Sequence, residues 1–155
     1  MDLIVQKATE LGAFQIIPVK AERSLVIIPK EKEESRIARW QKIAREAAEQ
    51  SGRLLIPFVQ PLKEFKELLM LKTDFDKCIL LWEMEKEKNI KKFLLDNREL
   101  KSLMVVIGPE GGFSHEEIEL AKNAGFATVS IGTRIVRTET AAISVLSMID
   151  YEFEL

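Results

Sequence analysis

An α/β fold built on a parallel sheet is predicted by two features of the sequence. Apolar runs at 78–82, 103–107 and 128–131 alternate with amphipathic helical patterns at 62–71, 90–97, 115–124 and 138–152. A run that stays apolar along its length suits a strand covered on both faces, and helices placed between such strands supply the cover. Five of the seven glycines (Gly108, Gly111, Gly112, Gly125, Gly132) fall between residues 108 and 132. Backbone permissiveness is thus concentrated just after the predicted strands.

The elements follow in order. Residues 1–11 place Leu3, Ile4, Ala8 and Leu11 on one helical face, and Gly12 stands where a left-handed cap ends such a helix. Segments 14–20 and 24–28 read as strands, the first an edge or bulged strand because of Pro18. Residues 30–51 form a long helix with Pro29 at its start and Gly52 at its end. Its apolar stripe is Ile37, Trp40, Ile43, Ala44, Ala47 and Ala48. In the second half the helix at 115 has the plainest signals: Ser114 and Glu117 form a capping box, and Gly125 closes the far end. No repeat, low-complexity tract or Pro/Gly/Ser linker interrupts the chain, which predicts one domain over 1–155.

The 155 residues are 46% hydrophobic and 31% charged, with a formal charge of −2. Scaling for 17.7 kDa gives roughly 8,000 Å² accessible when folded, enough burial for a core without disulfides. One cysteine (Cys78) excludes an internal disulfide, and one histidine (His115) leaves almost nothing for a zinc site or a Ser-His-Asp triad, so no metal is expected. The longest apolar runs fall far below the roughly 18 residues of a membrane span, and no signal peptide opens the chain; the expectation is a cytoplasmic protein without membrane contact. The near-zero charge conceals a gradient. Residues 1–53 hold 10 basic and 8 acidic side chains, 54–103 hold 10 and 9, and 104–155 hold 3 and 8. An RNA partner would therefore meet the first third.

Two glycine-bearing segments, IGPEGGFS (107–114) and IGTRIVRTETA (131–141), each follow a predicted strand. Ligands of open α/β sheets bind at the carboxyl ends of strands, so two such loops suggest one pocket. No GxxxxGK[ST] or GxGxxG is present, Pro109 removes an amide donor, and Glu110 puts negative charge where a pyrophosphate would sit. A cationic or adenosine-like ligand held by backbone groups fits better. Tight turns that merely close the fold are the alternative; Arg134, Arg137, Thr138, Glu139 and Thr140 around Ile135 and Val136 argue against it for the second loop.

The strings MDLIVQKATELG (1–12), EAAEQSGR (46–53), IGPEGGFS (107–114) and RIVRTETA (134–141) closely resemble the RsmE family of ribosomal RNA uridine-N3 methyltransferases, in the family's order and over the whole chain. The resemblance implies a SPOUT-class α/β fold with a C-terminal trefoil knot, a threading that ordinary connection rules would not suggest. It further implies a homodimer that uses S-adenosyl-L-methionine (SAM) and acts on 16S rRNA or the small ribosomal subunit. Three loops would bind SAM in a bent conformation: Leu81, Trp82 and Glu83; Ile107, Gly108, Pro109, Glu110, Gly111 and Gly112; and Ile131, Gly132, Arg134, Ile135 and Val136. Family members also carry an N-terminal PUA-like barrel that helps grip RNA, and Met1 falls about where it would end, so a chain lacking that domain is expected.

Methylation at N3 requires an unpaired or flipped uridine and removal of the N3 proton. Arg137, stabilising charge on a uracil oxygen, and Glu139, orienting Arg137 or accepting the proton, are the catalytic candidates; Glu139 could instead serve only the helix dipole. Arg23, Gln50 and Arg53 are candidates for RNA contact, with Glu46, Gln50 and Arg53 spaced to share a helical face. A solvated, salt-bridged face is the alternative there. A competing overall reading is a non-catalytic RNA-binding or ribosome-assembly module that retains the knotted fold.

Overall fold

The computed structural model describes residues 1–153. The chain runs α1 (Asp2–Glu10), β1 (Gln15–Ile16), β2 (Val19–Lys20), α2 (Lys30–Ser51), β3 (Phe58–Val59), β4 (Lys63–Glu64), α3 (Phe65–Met70) and a 3-10 turn (Leu71–Asp74). It continues with β5 (Lys77–Leu81), α4 (Ile90–Asp96), β6 (Leu103–Val106), α5 (His115–Asn123), β7 (Ala127–Val129) and α6 (Thr138–Phe153). All strand pairs are parallel. The order β6-β5-β7 makes the main sheet, while β1-β3 and β2-β4 form two small ladders.

Strand β5 is buried on both faces because side chains alternate along it. Cys78 and Leu80 enter a core with Phe65 and Leu68 of α3, Met104 and Val106 of β6, and Ile118 and Ala121 of α5. Ile79 and Leu81 enter a second core with Ile90 and Leu94 of α4 and Ala141, Val145 and Ile149 of α6. The sheet is thus a layer between helices, as the apolar runs require. A third core joins Val5 and Ala8 of α1 to Trp40 and Ala44 of α2, Ile16 and Val59; Leu146 of α6 packs against both this core and the second one.

Helix α1 is fastened to α2 at both ends. At its start the Asp2 carboxylate accepts from Arg39 and, at 3.0 Å, from the buried indole N–H of Trp40. At its end the Arg53 guanidinium donates to the carbonyls of Thr9 (2.6 Å), Ala13 (2.9 Å) and Gly12 (3.2 Å), at and just past the terminus, where carbonyls run short of intrahelical donors.

Two local expectations are corrected. Segment 24–28 is not a strand: Leu25, Val26 and Ile27 are 73–74% exposed and no ladder includes them. Strand propensity describes fit to a half-buried sheet surface, and this segment has no sheet neighbour. Arg53 does not share a helical face with Glu46 and Gln50, because Gly52 takes φ 71 and ends α2 one residue earlier. Strand 14–20 is divided around Pro18 into β1 and β2. Strands β3 and β4, two residues each, carry no periodicity to read.

The carboxyl of Asp2 is held below its ordinary value of 3.8 chiefly by the Arg39 hydrogen bond, against a smaller cost of burial. A depressed carboxylate contributes stability above its unfolded pKa and loses it as pH falls through the lower folded value. Asp2→Ala also leaves the Trp40 N–H buried without a partner. It is expected to cost about 1–3 kcal/mol at pH 7 in urea unfolding, and the Arg39-dependent part of that difference should shrink as the pH falls through the depressed folded pKa of Asp2.

Candidate binding site at the carboxyl end of the sheet

The carboxyl ends of β5, β6 and β7 open into a cavity of about 410 Å³, within the range of roughly 300–1,000 Å³ usual for small-molecule sites. Its walls are Leu81 at the end of β5 with Trp82 and Glu83, residues 107–113 after β6, and the stretch from Val129 at the end of β7 to Thr138, Thr133 excepted. Every residue that the sequence assigns to the three cofactor loops lines it: Leu81, Trp82, Glu83, Ile107, Gly108, Pro109, Glu110, Gly111, Gly112, Ile131, Gly132, Arg134, Ile135 and Val136. Arg137 lines it as well. A larger cleft of about 820 Å³, mostly apolar, adjoins this one and shares the stretch from Ile107 to Glu110.

The turn after β6 is closed by the Gly112 amide donating to the Pro109 carbonyl at 2.8 Å. Gly112 has φ 68, and a Cβ there would stand 3.0 Å from Glu83 Oε1, so the conformation and the space both call for glycine. At Gly111 the constraint is contact. A Cβ would lie 2.9 Å from both the Cβ and the carbonyl oxygen of Arg23. Directly after the turn, Phe113 is buried and tilts against Phe65 with centroids 5.5 Å apart, and Ser114 with Glu117 forms the expected reciprocal capping box of α5.

Long-range hydrogen bonds brace the other walls. Thr138 at the start of α6 donates its hydroxyl to the Gly108 carbonyl at 3.0 Å, joining the second loop to the first. After β5, Glu85 accepts from the Thr128 hydroxyl at 2.6 Å and from the amides of Glu87 and Lys88. Burial alone would raise the Glu85 pKa, but these hydrogen bonds outweigh it and leave the group below its ordinary value. Trp82 is half-buried at the rim, with the Lys122 ammonium 5.0 Å from its ring centroid. Thr138 stands in the RIVRTETA string, but its partner Gly108 lies 30 residues away, and Glu85 lies 43 residues from Thr128; neither contact had a local signal.

Arg137 is exposed just before α6, its carbonyl accepting from the Ala141 amide at 2.8 Å, and Glu139 is half-buried in the first turn of that helix. Among the described residues no ion pair joins them. Arg23 is exposed beside Gly111, His115 is the exposed first residue of α5, and Gln50 is exposed near the end of α2 away from both cavities. Arg53, with its guanidinium engaged by the Thr9 carbonyl of α1 and the Gly12 and Ala13 carbonyls just past it, is a structural anchor.

A parallel sheet whose glycine loops meet in one pocket at its carboxyl end defines a ligand-binding α/β domain. The chain belongs to the RNA methyltransferase domain family, whose model matches residues 1–150. It is 42% identical to the ribosomal RNA small subunit methyltransferase E of Bacillus subtilis over 159 aligned positions, covering 100% of this chain and 62% of that protein. The Aquifex aeolicus protein of the same name is 36% identical over 96% of this chain and 62% of its own length. A crystal structure of the Neisseria gonorrhoeae ribosomal RNA small subunit methyltransferase E bound to S-adenosyl methionine superposes with a TM-score of 0.83 at 34% identity, covering 97% of this chain and 60% of that one. The chain thus spans about three fifths of the length of these relatives.

The Arg53 contacts set a measurement. Arg53→Ala should lower unfolding stability by about 1.5–3 kcal/mol, the range for hydrogen bonds to a charged group, and Arg53→Lys should restore little, because an ammonium lacks the guanidinium fork.

Proposed function

We propose that this chain is a SAM-dependent methyltransferase acting on N3 of a uridine in 16S ribosomal RNA, in the cytoplasm, as a SPOUT-type domain with a C-terminal trefoil knot. The observation that carries the reading is the convergence of the three loops in one cavity, with Arg137 on its wall and Glu139 two residues further on. Membership of the RNA methyltransferase domain family and the SAM-bound relative at 34% identity support it. The tie between Thr138 and Gly108 supports the knot, since it holds the segment entering α6 against the loop after β6.

The cavity suits SAM on chemical grounds. Ile107, Ile131, Ile135, Val136 and the Trp82 ring offer apolar surface to an adenine, the turn from Pro109 to Gly112 offers backbone groups, and Glu83 and Glu110 put carboxylates near a ligand with a sulfonium and an ammonium. When bound, SAM supplies an electrophilic methyl group. Positioning of the base against it is worth up to about 7–11 kcal/mol in effective-molarity terms. Arg137 stabilises negative charge on a uracil oxygen as the N3 proton leaves, helped by the positive end of α6. Glu139 accepts that proton directly or through water; with no ion pair to Arg137, its carboxylate is not neutralised by its neighbour. Arg23, beside Gly111, is assigned to RNA contact in this scheme, whereas Gln50, away from both cavities, has no role in it.

We also read the active form as a homodimer. The single chain exposes 10009 Å², about 2,000 Å² more than its mass predicts, and Phe14, Leu54, Leu55, Ile135 and Tyr151 are among the exposed apolar side chains. Sedimentation should give twice the 17.7 kDa of one chain; a monomer at micromolar concentration would refute the dimer.

For the reaction, transfer of labelled methyl from SAM to 16S rRNA or small subunits, with mass analysis of the product nucleoside, is the deciding assay. Arg137→Ala and Glu139→Gln should each lower turnover by about 100-fold or more while SAM affinity by calorimetry stays within a few-fold. Near-unchanged turnover in both would remove them as catalytic residues. RNA binding without transfer by the unsubstituted chain would favour the assembly-module reading instead.

A further inference from the structure

Glu117 is a buried carboxylate, 6% exposed, whose two oxygens serve different parts of the chain. Oε2 accepts from the Ser114 amide at 2.9 Å, which is the capping box of α5. Oε1 accepts from the amide of Glu22 at 2.9 Å, across 95 residues of sequence. A capping box uses only one carboxylate oxygen, so the second bond has a separate consequence. It holds the turn from Ala21 to Ser24, whose internal hydrogen bonds are Ala21 N to Ser24 Oγ and Ser24 N to Ala21 O, both 3.1 Å, and whose Ala21 is buried in the core.

The residue so held is Arg23. Its backbone lies directly against Gly111 of the pocket loop, at a distance that no side chain on Gly111 would permit. Arg23 is exposed there, lining neither cavity itself but adjoining the Gly111 that does. Beyond Ser24 the chain runs as exposed coil through Leu25, Val26 and Ile27, with no sheet to fix it. The buried carboxylate at the root of α5 therefore links the loop that forms the pocket to the basic residue beside it.

Resting on the methyltransferase reading above, we infer that Glu117 is a positioning residue for RNA: it sets Arg23 at the pocket rim, where the guanidinium contacts a phosphate next to the base that enters. A carboxylate is needed because each oxygen accepts from a different backbone amide. Glutamine has one carbonyl oxygen and turns an NH₂ group toward the other amide, so Glu117→Gln keeps the size and loses one of the two bonds.

The test is a double-mutant cycle between Glu117→Gln and Arg23→Ala, with Ser114→Ala as control, because that change weakens the same helix cap and leaves the Glu22 bond in place. Three quantities are read: amide exchange at Glu22, Arg23 and Ser24; affinity for a 16S rRNA fragment as a function of salt; and affinity for SAM, which also reports folding. Arg23→Ala should reduce the salt slope by about one unit. Glu117→Gln should reproduce that reduction and speed exchange at the turn, and the double variant should bind RNA no more weakly than Arg23→Ala alone. Ser114→Ala should change neither the slope nor exchange at the turn. An additive cycle, or unchanged exchange at the turn in Glu117→Gln, would overturn the role given to Glu117 while leaving the methyltransferase reading intact. Failure of the unsubstituted chain to bind SAM or the RNA fragment would overturn that reading and this inference together.

Discussion

Burial of β5 on both faces is the constraint from which the rest of the molecule follows. Cys78 and Leu80 point into one core and Ile79 and Leu81 into the other, so helices must cover both sides of the sheet. Helical cover on both faces comes from crossover connections, and crossovers make the strands parallel. Parallel strands end together. The loops after β5, β6 and β7 are thereby delivered to one edge, and the cavity forms there. The same burial raises the Cys78 thiol pKa to about 11, which keeps it protonated and unreactive inside the sheet.

The front of the chain reaches the site by two routes. Leu146 of α6 packs against both the sheet core and the α1-α2 core, giving a mechanical link through the helix that begins at Thr138. The second route is polar and runs from Glu117 through the Glu22 amide to Arg23 and Gly111. Charge follows a similar logic of local placement. Residues 104–155 are acidic as a block, yet two of their three cations, Arg134 and Arg137, stand on the cavity wall. A regional average of charge conceals that the cavity wall itself is balanced, with Arg134 and Arg137 set against Glu83 and Glu110.

What could be read from sequence, and what could not, divides by range. The α2 stripe is legible because its members recur at steps of three and four residues, as in Ile37, Trp40, Ala44 and Ala48, and Trp40, Ala44, Ala47 and Ala48 are indeed buried. The Ser114–Glu117 box is legible because a helix terminus must satisfy its amides locally. The run 24–28 misleads because it has strand-forming residues and no strand beside it. Arg53 misleads because a single φ at Gly52 redirects the chain from the α2 face to the end of α1. The strands at 58–59 and 63–64 are too short to carry a period at all.

By itself the sequence determined the class of fold, the alternation of helices with buried strands, and the two glycine loops whose place at strand ends marks a candidate binding site. These are properties of residues within a few turns of one another. Tertiary structure alone decided that Thr138 ties to Gly108 across 30 residues, that Glu85 braces Thr128 across 43, and that Glu117 holds Glu22 across 95. Each is a short hydrogen bond between groups whose separation is set by packing elsewhere, so no spacing along the chain encodes it.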